Sequence, residues 1–284
     1  MDTQEAGAET PAKEIDMEAY YSNGNISLYN GDCEKVMGQL VTEKGMGGGI
    51  NKIITSPPYN IIRPNSTDRG YDEYKDGMTN DEYIAWVLRI FSLYDVLLAK
   101  NGCVLWNQSY GTENTEAMNL TIAEIIKKTP FTLADVIVWK KQSATPNNVS
   151  SNKMTRICEF VYVFCRRTEF ATFTSNKRII GYRDDQGQPI YENIFNFFEA
   201  ENNDASTELN KATFSTRFVN ELIDRYVLPS DMVMDNFSGT GTTISACSSR
   251  GIKAIGIELS KAQCQYTQKR LENVQFCFGD GFFG

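Results

Sequence analysis

Two short segments carry residue types and spacings that chemistry can use. The first is Met234-Asp-Asn-Phe-Ser-Gly239-Thr-Gly241-Thr-Thr243, where an apolar run ends in a glycine-rich turn and opens a helix. Glycines at such a turn let the backbone take positive φ and approach a ligand closely. A carboxylate follows in Gly256-Ile-Glu258, 23 residues after Asp235, a spacing that places an acid on ribose hydroxyls. Turn and acid together outline a nucleoside pocket. A nicotinamide dinucleotide is the competing ligand, but Ile244 stands where its third glycine belongs, and no Gly-Lys-Ser/Thr marks a phosphate loop. The second segment, Thr55-Ser-Pro-Pro-Tyr-Asn60, follows the apolar run Lys52-Ile-Ile-Thr55. Two prolines can neither donate to a ladder nor continue a helix, so the chain turns there, at the carboxyl edge of a sheet where open α/β folds bind ligands. A plain proline turn explains Pro57 and Pro58 but not the flanking Ser56 and Tyr59.

The elements that must position these segments alternate along the chain. Asn25 to Tyr29 reads as a strand that runs into Gly31-Asp32 and a short helix to Leu40. Residues 45 to 49 form a glycine loop and 52 to 55 the next strand. From Asp81 an amphipathic helix runs to Lys100, stops at Asn101-Gly102, and gives way to a strand over 103 to 106. A helix over 113 to 128 and strands over 133 to 139 and 158 to 165 follow. Residues 166 to 210 break the rhythm with basic, Asn-rich and aromatic sequence. Alternation then resumes with a helix (215 to 227), a strand (232 to 235), the glycine turn, a helix to Arg250, a strand (253 to 257) and a helix to Leu271. The expected organisation is a flexible acidic tail at 1–18, a first half of one domain at 19–165, an insertion at 166–210 and the second half at 211–284. The fold class is α/β, with helices on both faces of the sheet.

Composition narrows the chemistry further. The 284 residues contain no histidine, which removes imidazole as general base, nucleophile partner or metal ligand. The seven cysteines form no CxxC pair and sit in apolar segments, so reduced core thiols are expected and no metal site. No run of about 18 uncharged apolar residues occurs and the N-terminus is acidic, so the expectation is a soluble intracellular protein, in the cytoplasm or nucleoid of a microbial or virus-infected cell, without membrane contact. Net charge is −8, yet residues 135 to 190 hold nine Lys/Arg against five Asp/Glu, a basic stretch inside an acidic chain.

Residues Ser56 to Tyr59 and Asp235 to Gly241 resemble the [DNS]-P-P-[YF] and D-x-F-x-G-x-G motifs of amino-methylating DNA methyltransferases, and Glu258 matches the acid after the second strand. The order, with the catalytic motif first, the variable insertion next and the cofactor motif last, is similar to the permuted beta group of that family. The resemblance covers about residues 25 to 272. It implies a Rossmann-like S-adenosylmethionine-dependent sheet in which residues 166–210 act as a target-recognition region. It further implies that Asp235, Phe237, Gly239, Gly241, Thr242, Thr243 and Glu258 hold S-adenosylmethionine, with Asp32 on its adenine. A competing acid, Asp280, stands four residues from the chain end without a following helix. Asn210 and Lys211 resemble the segment before the cofactor strand, in place of its usual His-Pro, and Asn236 replaces a usual proline.

Methyl transfer to an exocyclic amine is an in-line displacement that needs alignment, proximity and acceptors, not imidazole. The Ser56 hydroxyl and Pro57 carbonyl would accept from the amine, Pro58 would stiffen the turn, and Tyr59 would stack on a base rotated out of double-stranded DNA. Carbon-5 methylation is excluded because no cysteine follows a proline. The resemblance associates a serine at the position of Ser56 more with N4 of cytosine than with N6 of adenine, although Asn at the position of Asn60 also follows the motif in adenine enzymes. Lys140, Lys141, Lys153, Arg156, Arg178 and Arg183, with Arg166, Arg167 and Lys177 beside them, are the expected phosphate contacts. A homodimer and a restriction partner stay open. The alternatives are a catalytically silent DNA-binding homologue and a methyltransferase acting on RNA or a protein glutamine.

Overall fold

The computed structural model describes residues 18–60, 77–109, 114–144, 151–152, 154–183, 187–204 and 213–279, with side chains as far as 273. Of the expected tail only Glu18 is among them, and Lys153, Asn210, Lys211 and Asp280 lie outside them. In chain order the elements are β1 Tyr21–Ser22, β2 Ile26–Asn30, α1 Cys33–Thr42, β3 Ile50–Thr55, α2 Asn80–Leu97, β4 Leu98–Gln108, α3 Thr115–Lys128, β5 Phe131–Lys141, β6 Cys158–Arg166, β7 Ile179–Arg183, β8 Gln188–Tyr191, β9 Phe197–Ala200, α4 Thr216–Tyr226, β10 Met232–Asp235, α5 Thr242–Ser249, β11 Lys253–Glu258 and α6 Lys261–Gly279.

The main sheet has the order β1-β2-β11-β10-β3-β4-β6-β5-β9. Strands β2, β11, β10, β3 and β4 run parallel to one another, whereas β6 is antiparallel to both β4 and β5. Side chains alternate between two cores. Ile53, Met234 and Ile255 point into the core that includes α1, α2 and α3. Ile54, Val233 and Ala254 point into the core that includes α4, α5 and α6. From β3 the chain moves through α2 to β4, and from β10 through α5, on the other face, to β11. The direction of winding therefore reverses between β3 and β10, and a crevice opens at their carboxyl ends.

Helix α2 starts one residue earlier than the apolar period suggests, because Thr79 and Glu82 form a reciprocal capping box. It also ends earlier. Leu98 leaves the helix to pair with Ile50, and the β3–β4 register shifts before Cys103 pairs with Lys52, so Asn101 (φ 59°) and Gly102 lie inside β4 and do not end a helix. Arg166, expected on the DNA surface, instead donates to the carbonyls of Asp95, Leu98 and Ala99 and to the Asp95 carboxylate. Arg167 donates to the carbonyls of Ile126 and Phe131. Both guanidiniums satisfy carbonyls at or just beyond helix C-termini, where positive charge is favoured.

The stretch 166–210 is not one body apart from the sheet. Its residues 197–200 form β9, parallel to β5 at the sheet edge, with Phe198 and Ala200 buried. Among the described residues only β7 and β8 make a separate hairpin.

Candidate active site

A cavity of about 640 Å³ opens at the carboxyl edge of the sheet. Its walls come from the ends of β2 (Gly31, Asp32), β3 (Ser56 to Tyr59), β4 (Asn107), β5 (Trp139, Lys141), β10 (Asp235 to Thr240) and β11 (Glu258 to Ser260). The antiparallel β6 contributes its first residues, here Glu159, to the same edge. Both sequence motifs thus share one chamber.

On one side of the cavity, the glycine turn is held by hydrogen bonds that span the two central strands. Gly239 N donates to Glu258 Oε2 (2.7 Å), Ser238 N to the Ile257 carbonyl (2.9 Å) and Ser260 N to Glu258 Oε1 (2.8 Å). Gly239 and Gly241 take φ of 54° and 76°, the left-handed region the sequence requires of them. Gly241 also caps α5, whose first residues Thr242 and Thr243 are buried. Asp32 caps α1, accepting from Lys35 N at 3.1 Å, and lines the cavity beside Phe237. Asp235 Oδ1 accepts from Thr55 Oγ1 (2.7 Å) and Phe237 N (3.1 Å), which ties the two motifs directly. Burial pushes its carboxyl up to about 6, against the opposing pull of the Thr243 and Thr55 hydroxyls and the Phe237 N–H. Asn236, the departure from the family proline, is buried and accepts from Tyr94 Oη at 2.6 Å. This ties the turn to α2, while the buried Asn236 Nδ2 has no hydrogen-bond partner among the described residues.

On the other side, Ser56 Oγ lies 3.2 Å from Tyr59 Oη, which donates to Asn107 Oδ1 at 3.2 Å. The Pro58 carbonyl is taken by Tyr83 Oη at 2.9 Å, while among the described residues nothing donates to the Pro57 carbonyl. Asn60 turns away from the cavity. It is fully buried at φ 50°, accepts from Gly77 N and Met78 N (2.9 Å each) and donates to the Met78 carbonyl. Its side chain is a brace for the proline turn. Cys33 lines the cavity, but burial, with Asp32 and Glu34 close by, pushes its thiol up to about 12, so it is no nucleophile.

The expected phosphate contacts separate in space. Lys141 lies in the cavity, paired with Glu159 and 5.0 Å from the Trp139 ring centroid. Lys140 points to the opposite face and pairs with Glu199 of β9 at 2.7 Å. Arg178 pairs with Glu192 across the β7–β8 hairpin at 2.9 Å. Arg156, Lys177 and Arg183 are exposed and have no ion-pair partner among the described residues. Sequence reasoning missed Asn107, Trp139 and Glu159 as cavity residues. A polar residue closing the apolar run of β4 was a readable signal for Asn107, whereas Glu159 reaches the site only because β6 runs backwards.

Among the described residues no helix is long and apolar enough to cross a membrane, and no group of three His, Cys, Asp or Glu could hold a metal ion. A DNA methylase family model, of the N6/N4 class, matches residues 50–269. The type II methyltransferase M.Cfr9I of Citrobacter freundii is 24% identical over 281 residues, covering 87% of each chain. The DNA adenine methyltransferase YhdJ of Escherichia coli K12 is 23% identical over 280 residues, covering 89% of this chain and 84% of its own. The solved cytosine-N4-specific PvuII DNA methyltransferase superposes with a TM-score of 0.64 at 18% identity, over 92% of this chain and 93% of its own. The chain therefore belongs to the N6/N4 DNA methylases, S-adenosylmethionine-dependent enzymes that methylate exocyclic amines of DNA bases.

Proposed function

We propose that this chain methylates N4 of a cytosine rotated out of double-stranded DNA into the cavity. The observation that carries this reading is one chamber lined both by the Ser56-Pro-Pro-Tyr59 turn and by the glycine turn. The residues present fit S-adenosylmethionine: the left-handed Gly239 brings backbone to the cavity wall, and the buried Ser238 Oγ on that wall has no hydrogen-bond partner among the described residues. When bound, the cofactor supplies an activated methyl group on a sulfonium. Asp32 and Glu258, at the ends of β2 and β11, would take the adenosine, and their lining of the cavity together with Asp235, Phe237, Thr242 and Thr243 supports this reading. Asn210 and Lys211 lie outside the described residues, but Thr213 and Phe214, just after them, line the same cavity.

The target amine needs acceptors and a face to stack on. Ser56 Oγ and the Pro57 carbonyl offer the first, and the Tyr59 ring offers the second, with Pro58 fixed by Tyr83. Cytosine is favoured because the family resemblance associates a serine at the leading motif position, here Ser56, more with cytosine than with adenine. Asn60, which also follows the motif in adenine enzymes, is held by Gly77 and Met78 and does not line the cavity. Incubation with mixed-sequence DNA and labelled cofactor, followed by nucleoside mass spectrometry, should yield N4-methylcytosine. N6-methyladenine would overturn the choice of base, and no methylated nucleoside would overturn the reading altogether. Ser56→Ala should lower kcat by about ten-fold or more, the loss of one well-placed hydrogen bond.

For the DNA surface, the exposed cations of the hairpin carry the expectation. Arg183→Ala should lower the slope of log affinity against log salt by about 1. Lys141→Met, which changes a residue inside the cavity, should leave that slope unchanged. Titrations across salt concentrations read both, and the reverse pattern would move the phosphate contacts from the hairpin to β5.

A further inference from the structure

Asn107, the second-to-last residue of β4, follows Trp106, which pairs with Thr55 of β3, so it stands beside Ser56 at the cavity edge. It is 1% exposed, and its side chain bonds at both ends. Its Nδ2 donates to the Phe160 carbonyl of β6 at 3.2 Å, and its Oδ1 accepts from Tyr59 Oη at 3.2 Å. Tyr59 Oη in turn lies 3.2 Å from Ser56 Oγ.

These hydrogen bonds have a direction. A backbone carbonyl can only accept, so the Asn107 amide must turn its NH₂ toward Phe160 and its oxygen toward Tyr59. A phenol has one proton, and Asn107 takes it. Between Ser56 and Tyr59 the serine is then the donor. Its single proton points at Tyr59, which leaves lone pairs, and no proton, to face the cavity.

We propose that Asn107 is a positioning residue that sets the direction of the chain Ser56, Tyr59, Asn107, Phe160 carbonyl and so makes the Ser56 hydroxyl an acceptor for the target amine. This rests on the methyl-transfer reading above. An exocyclic amine offers N–H donors, and a serine proton aimed at them would repel the base. Without Asn107 the Tyr59 proton is free to turn to Ser56, and the serine proton to turn into the cavity. Asn107 itself does not touch the base.

The test is a set of double-variant cycles on methylation of DNA by the full chain, with cofactor affinity measured by calorimetry. Asn107→Leu and Tyr59→Phe should each lower kcat by about ten-fold. The KM for DNA and the affinity for S-adenosylmethionine should change by less than about two-fold, as they do when a variant removes an interaction that strengthens only in the transition state. In the Ser56→Ala background, where no serine proton remains to be directed, Tyr59→Phe should have no further effect on kcat. Independent, multiplying losses would overturn the proposal, as would full kcat in Asn107→Leu. Tyr59→Phe keeps the ring and carries the test if Asn107→Leu does not fold. The two failures separate cleanly: a wild-type chain that yields methylated nucleoside, with a deficient Ser56→Ala, upholds the reaction whatever Asn107 does.

Discussion

Gly241→Ala should abolish binding of S-adenosylmethionine and destabilise the chain by about 3 kcal/mol or more. A Cβ at this position would stand 2.3 Å from Thr267 Cγ2, 2.8 Å from its Oγ1 and 3.0 Å from its Cβ, at a φ of +76°. Two costs coincide. The left-handed backbone costs an L-residue about 1–2 kcal/mol, and overpacking a tight interior adds about 1–3 kcal/mol. Thr267 cannot easily give way, because it is fully buried on α6, β-branched, and donates to the Gly239 carbonyl at 3.3 Å. Moving it disturbs the glycine turn itself. Gly251→Ala isolates the first cost, since φ there is +68° with nothing within 4 Å of the added carbon. Urea denaturation should therefore rank Gly241→Ala well below Gly251→Ala, and Thr267→Ala should restore part of the difference. Equal stabilities, or cofactor binding that survives in Gly241→Ala, would show that the turn tolerates a side chain.

The strand and helix alternation was legible because apolar periodicity and turn residues are local signals. What the sequence concealed depended on pairing between distant segments. The end of α2 illustrates this: residues 98 to 100 continue its apolar sequence, yet Leu98 gains a strand partner in Ile50, and pairing outweighs helical propensity. The same holds for β9, where an Asn-rich, aromatic segment looks like part of an insertion until Phe198 and Ala200 find the buried side of the sheet edge beside β5. Arg166 and Arg167 read as free cations in a basic stretch. Only the return of β6 against the end of α2 and the start of β5 shows them occupied by backbone carbonyls.

In the candidate site, the residues that sit next to one another in sequence were readable and those brought in by the sheet were not. The two motifs carry their own turn chemistry, so their presence at a strand end followed from prolines and glycines alone. Asn107, on the strand beside β3, and the Lys141–Glu159 pair, on the two strands beyond it, reach the same chamber through register. Charge counting assigned Lys141 to phosphate, and its place beside Glu159 and Trp139 assigns it to the cavity wall.

Asp235→Asn should make the chain more stable at neutral pH while weakening its hold on the cofactor. The native carboxylate is 2% exposed, and burial raises it from 3.8 to about 6 despite hydrogen bonds from the Thr55 hydroxyl and the Phe237 N–H. The folded chain therefore binds the Asp235 proton more tightly than the unfolded chain does. Its favourable contribution is complete below about pH 4 and is lost as pH rises through about 6, leaving a penalty near pH 7.5 on the order of 3 kcal/mol. Asparagine keeps an acceptor for Thr55 and Phe237 and removes the charge, so the gain in stability should appear only as pH rises from 4 to 7.5. Urea midpoints at several pH values measure it, and a gain of the same size at every pH would assign it to packing instead. Loss of S-adenosylmethionine affinity in the same variant would show what the strain serves. A buried carboxylate that weakens the fold at working pH is retained where its charge is used, and here it lies between the end of β3, where the proline turn begins, and the glycine turn, hydrogen-bonded to both.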